Sequence, residues 1–180
     1  VARRGGVGVV AHPDERTTNE YTEPYRWDDW TQRGFAGIEL WNYMSDWIEQ
    51  YAPRGRYLNV LMPSRALRGP TAETIRWWDE LQVEGVRPTG LFGVDAHAPK
   101  VRVAGRELTI LGYEHCFRRL VNYLLLDEPL SGDHATAEAQ LWAAIRRGRA
   151  TMANPGRARR AGEAFVAHTR GGGGEGTSGG

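Results

Sequence analysis

An apolar run that ends in Asp-x-His, Leu91-Phe92-Gly93-Val94-Asp95-Ala96-His97, constrains this chain more than any other stretch. Read as a strand, it sends residues two apart to the same side. The Asp95 carboxylate and the His97 imidazole then emerge together at its C-terminal end. Such a pair suits a divalent cation such as Zn²⁺ or Mn²⁺. Parallel α/β folds carry their chemistry at that end of their strands. A polar turn closing the strand is the plainer reading of the same residues.

Two other runs follow the same grammar. Val7-Gly8-Val9-Val10-Ala11 is short and β-branched, as a buried parallel strand should be. It stops at His12-Pro13, because proline cannot donate to a sheet ladder. His12 therefore sits at a strand end, as a hydrogen-bonded turn histidine or as a ligand. Residues 35–42 form the next strand, with Glu39 in an otherwise apolar run. A carboxylate in a buried strand is costly unless paired or bound to a cation. Alternation also allows Glu39 to point away from Ile38 and Leu40. Asn42 lies where strand gives way to helix and reads as an N-cap, with substrate contact as the alternative.

Helices are expected between the strands. Residues 26–32 predict one, stopped by Gly34, with Tyr21, Tyr25, Trp27 and Trp30 covering the sheet from outside. Residues 42–51 carry Met44, Trp47, Ile48 and Tyr51 at helical spacing. Residues 71–84 form another, with Ile75, Trp78 and Leu81 as its buried stripe and Gly85 as its stop. Strand, helix, strand, helix, strand is the order of a parallel α/β fold.

After that, residues 107–112 read as extended and 113–126 as a helix followed by a strand. His115 is expected in the core or at a cap. Residues 133–148 predict a helix capped by Asp133, with Leu141 and Ile145 on one face. Arg146, Arg147 and Arg149 suit its C-terminal dipole. Arg157, Arg159 and Arg160 extend a basic cluster that reads as a solvated face. A net charge of +1 argues against a chain built for nucleic acid or an anionic membrane surface. No apolar run approaches the ~18 residues of a membrane helix. Cys116 is the only cysteine, which excludes an intrachain disulfide and a Cys-rich zinc site.

Gly8-Val9-Val10-Ala11-His12-Pro13, then Gly37-Ile38-Glu39-Leu40-Trp41-Asn42, then Gly93-Val94-Asp95-Ala96-His97 resemble the later motifs of the PHP (polymerase and histidinol phosphatase) superfamily. The wording is closest to its CehA/McbA-like branch of metal-dependent hydrolases. The resemblance spans about residues 7–99, with a weaker echo at Ala144-Ile145-Arg146-Arg147-Gly148-Arg149. It implies a distorted (β/α)7 TIM-like barrel holding two or three divalent ions (Zn, Mn or Fe) at its strand ends. By that resemblance His12, Asp95 and His97 match metal ligands, and Glu39 and Asn42 match a motif that supports the site. The family's opening His-x-His, next histidine and bridging glutamate would precede His12. The chain therefore reads as the C-terminal half of a barrel over 1–105. A post-barrel α+β segment over 106–168 and a flexible Gly-rich tail over 169–180 follow.

The implied chemistry is hydrolysis of a small-molecule phosphoester by a metal-activated water. Hydrolysis of a carbamate or carboxyl ester on the same metals is the alternative within the enzyme class. A degenerate, non-catalytic α/β binding module is the alternative outside it.

Overall fold

Three parallel strands form the centre of the fold: β1 (Val9–Val10), β2 (Gly37–Asn42) and β3 (Thr89–Gly93), in the order β1-β2-β3. The computed structural model describes residues 4–16, 23–50, 56–103 and 105–155. The strands are followed by α1 (Tyr43–Glu49), α2 (Arg56–Leu61), a 3-10 turn at Pro63–Ala66 and α3 (Ala72–Val83) after β2. After β3 come a hairpin of β4 (Lys100–Val103) and β5 (Arg106–Thr109), α4 (Tyr113–Phe117), β6 (Val121–Leu124), α5 (His134–Arg146) and β7 (Ala150–Ala153). The fold is mixed α/β, and the hairpin spans the boundary expected at 105/106. Among the described residues the parallel sheet is three-stranded and does not close into a barrel.

Alternation along β2, interrupted by a bulge between Glu39 and Trp41, sorts the molecule into two cores. Ile38 and Leu40 go to one face, where Val10, Trp77 and Leu81 bury them and Trp27, Trp30 and Met152 pack alongside. Trp41 goes to the other, joining Phe92 in an edge-to-face pair with ring centroids 4.9 Å apart. Tyr43, Met44, Trp47, Leu111, Cys116 and Leu120 complete that second core. The register slips by one residue between Glu39 and Trp41, so Glu39 does not follow Trp41 but lies against Gly93 and Asn42, off the Ile38–Leu40 core.

The antiparallel β6–β7 pair lies beside β3. Its junction is a side chain: Asn122 accepts from Phe92 N at 2.8 Å and donates to Phe92 O at 2.9 Å. The amide satisfies the edge of β3 as a neighbouring strand would.

Several expectations need correction. Residues 26–32 are not helical, because the Asp29 carboxylate accepts from Thr31 N (3.1 Å), Thr31 Oγ1 (2.6 Å) and Gln32 Nε2 (2.6 Å). That local turn competes with the helix. Among the described residues, no helix separates β1 from β2. Trp27 and Trp30 still cover the α3 side of the sheet, as expected. The first strand is reduced to two residues, with Val10 buried but Val9 40% exposed at the open edge. The third strand ends at Gly93, short of Asp95. On α3 the buried residues are Thr74, Trp77 and Leu81, and Trp78 is turned to donate Nε1 to Pro88 O at 2.9 Å. On α5 only Ala144 is buried, and Leu141 remains 37% exposed.

Other expectations hold. Asp133 caps α5 through its side chain, and Thr71 does the same for α3. A helix and then a strand follow residue 113. Tyr21, Tyr51, Arg157, Arg159, Arg160 and the Gly-rich tail lie outside the described residues. No helix among the described residues is long and apolar enough to cross a membrane.

Candidate active site

The C-terminal ends of all three parallel strands meet at one rim. β1 delivers His12, β2 delivers Glu39 and Asn42, and β3 leads into Asp95 and His97. The Nε2 of His12 lies 4.0 Å from Asp95 Oδ2. The Nε2 of His97 lies 3.0 Å from Asp95 Oδ1. The two outer strands thus bring His12 to the distant Asp95–His97 pair across β2.

Asp95 and His97 do meet, but not by the route that strand alternation suggests. Asp95 has a left-handed backbone, φ 45°, and His12 has φ 28°. For residues with a Cβ this region is sparsely populated and costs of order 1–3 kcal/mol. Here the turn at Asp95 folds the loop so that both side chains face the same spot. Ala98 (φ 48°) and Leu111 (φ 49°) share the conformation, so it is not confined to the rim.

Glu39 is the hinge of the arrangement. Its Oε2 accepts from the backbone N–H of His12 at 2.9 Å and from Asn42 Nδ2 at 2.9 Å. Asn42 Oδ1 accepts from Ser45 N at 3.0 Å and caps α1. The capping role expected for Asn42 therefore coexists with a hydrogen bond that orients Glu39. Gly93 lies opposite: a Cβ there would come within 2.0 Å of Glu39 Oε1.

Glu15 completes the shell around His12, and sequence reasoning missed it. Its buried carboxylate places Oε2 3.6 Å from His12 Nδ1 and 2.8 Å from Tyr25 N, which donates to it. His12 Nδ1 is buried with no hydrogen-bond partner. Asp14 beside it is buried and ion-paired with Arg16 and Arg26, the latter at 2.9 Å. The acidic pair directly after His12-Pro13 was the available signal.

Behind the rim, α1 contributes two more acids to a small cleft of about 30 Å³ that His12 and Glu39 also line. Burial pushes the Asp46 carboxyl above its usual range, against donors from Trp41 Nε1 (2.6 Å) and Arg68 N (2.8 Å). Burial, and then the neighbouring Asp46 charge, push Glu49 up as well. His115 lies elsewhere, its Nε2 hydrogen-bonded to Tyr43 Oη at 2.8 Å, which fits the core role expected of it.

Compared with known proteins, the chain matches no protein-family model, no curated protein and no solved structure. The resemblance to PHP proteins therefore rests on the three sequence motifs alone.

The donor types at the rim, two imidazoles and a carboxylate, are those of a zinc, manganese or iron site. The carboxylate facing the far nitrogen of His12 is the usual outer support of a metal-bound histidine. The spacing, however, is open. Among the described residues no group of three or more His, Cys, Asp or Glu side chains is close enough to hold a metal ion. By themselves these residues do not make a closed metal site.

Proposed function

We propose that the rim of His12, Asp95 and His97 is part of the active site of a metal-dependent hydrolase acting on small phosphoesters, built on a PHP-like barrel. The observation that carries this reading is the approach of His12 Nε2 to Asp95 Oδ2, 4.0 Å, across the C-terminal edge of a parallel sheet. A bound divalent ion would supply a water acidic enough to ionise near neutral pH and a Lewis acid for the phosphoryl oxygen. The chain's own contribution is orientation. Glu39 fixes the backbone of His12, Glu15 faces its Nδ1, and the left-handed turn at Asp95 aims the carboxylate inward.

Calorimetric titration with Zn²⁺ and Mn²⁺ tests the reading, paired with assays on p-nitrophenyl phosphate and p-nitrophenyl acetate. Weak metal binding is expected, reduced further by His97→Ala and abolished by Asp95→Asn with His12→Ala. Turnover should favour the phosphate. A preference for the acetate would move the assignment to the carbamate or carboxyl-ester class. Metal binding indifferent to all three substitutions would remove the rim from consideration. The shortage of ligands among the described residues favours a second reading, a binding module without turnover. That reading predicts no metal-dependent hydrolysis of either ester.

A further inference from the structure

A larger cleft opens at the other end of the sheet. β3 begins in it, at Thr89 and Gly90, and runs from there toward the Asp95 rim. It lies between the C-terminal half of α3 and the turn joining α5 to β7, with a volume of about 820 Å³. That is within the roughly 300–1,000 Å³ of small-molecule sites. Its floor is apolar: Leu40 from β2, Trp78 from α3 and Met152 from β7. Gly90 keeps the floor packed without filling it. A Cβ at 90 would come within 2.5 Å of Leu40 Cδ1 and 3.7 Å of Met152 Cε. The Trp78 ring is held in place through Nε1, which donates to Pro88 O at 2.9 Å.

The lip carries only positive charge. Arg87, Arg146 and Arg147 line the cleft, and no acidic residue does. Arg147 is neutralised from outside by Asp127 at 2.9 Å. Arg146 donates to a neutral carbonyl, Gly5 O at 2.6 Å, and so keeps its charge. Arg87 has neither an ion-pair nor a hydrogen-bond partner among the described residues. The helix ends of α3 and α5 offset part of this charge, by roughly half an elementary charge each. A net positive lip remains above an apolar floor.

We propose that this cleft binds an amphipathic anion: a flat apolar body seated on Leu40, Trp78 and Met152, carrying a phosphate, sulfonate or carboxylate that Arg87 and Arg146 hold. Guanidinium groups match such anions in geometry as well as in charge. The site is separate from the rim and needs no metal.

The test is calorimetric titration of the whole chain, in EDTA, with 1-naphthalenesulfonate and with neutral 1-naphthol. The sulfonate should saturate one site and bind at least tenfold tighter than the naphthol. Arg87→Glu and Arg146→Ala should each weaken it about tenfold or more, the scale of one charge-assisted hydrogen bond. Both side chains are exposed, so circular dichroism and the melting temperature should stay as in the parent. His12→Ala should leave the titration unchanged, which separates this site from the rim. No saturable binding, equal affinity for the naphthol, or a titration unmoved by the arginine substitutions would each overturn the assignment.

Discussion

The Glu39 carboxylate accepts from His12 N and Asn42 Nδ2 only because residue 93 has no side chain. Gly93 does not have a positive φ, so Gly93→Ala brings no backbone penalty and acts through the clash alone. The carboxylate must swing away and both donors lose their acceptor. The expected cost is about 1–3 kcal/mol, read as a shift in the urea midpoint. In a Glu39→Ala background the same change should be nearly free, and an undiminished penalty there would place the clash elsewhere. Glu15 offers a second check. If it supports His12 as a ligand, Glu15→Gln should weaken Mn²⁺ binding roughly tenfold or more, with little change in melting temperature. The individual side chains of the rim were largely legible in sequence, since His12, Asp95 and His97 all end apolar runs. Their mutual geometry was not. A left-handed Asp95 and a glycine opposite Glu39 are tertiary choices that no periodicity records.

At the scale of elements, the short helix α4 is fastened to α1 through His115 and Tyr43. Burial first, and then Arg119, hold the His115 imidazole below its ordinary pKa. Burial raises the Tyr43 phenol, which Ser64 also bonds. Cys116 next to His115 is buried, and its Sγ is 3.2 Å from Leu111 O, which accepts from it. The folded state therefore favours neutral His115. The unfolded chain takes up the proton first, near pH 6.5, and stability falls as pH drops below that value. Asp46 and Glu49 act in the opposite sense. Their raised pKa values mean that the folded state regains stability as pH falls through them toward the usual carboxylate range. The thermal midpoint should therefore decline below about pH 6.5 and flatten at lower pH. His115→Gln keeps an acceptor for Tyr43 and should remove the first decline. A decline that persists in His115→Gln would assign it to another histidine. Helices α1, α3 and α5 were readable from their caps, since Asn42, Thr71 and Asp133 each accept from the first turn, whereas the buried stripes of α3 and α5 fall on other residues than the spacing suggested. The false helix at 26–32 shows the limit. Its Trp and Arg residues fit a helix, yet one carboxylate, Asp29, satisfies three donors in a turn.

The parallel α/β arrangement could be read from three short runs that each end in polar residues. Sheet closure could not, because strand count depends on which segments meet and not on any one of them. The consequence falls on β1. Its inner side pairs with β2, while among the described residues its outer side pairs with nothing. Val9 stands 40% exposed there. An unpaired edge rich in valine is a template for another strand. Leu61 at 71% and Trp142 at 39% are exposed as well, but they sit on helices and offer no ladder. Association of the isolated chain should therefore run through β1, rise with concentration, and appear as dimer or larger species in size-exclusion chromatography with light scattering. Val9→Lys places a charge on the edge, the device by which natural sheets avoid pairing. Since Val9 is exposed, the substitution should cost little stability, within about ±0.5 kcal/mol, while shifting the elution to monomer. Leu61→Lys, equally polar and at a more exposed position away from the edge, should leave the association unchanged. A monomeric parent at all concentrations, or a Leu61→Lys effect as large as that of Val9→Lys, would mean that the β1 edge is covered in solution and that the parallel sheet is finished as it stands.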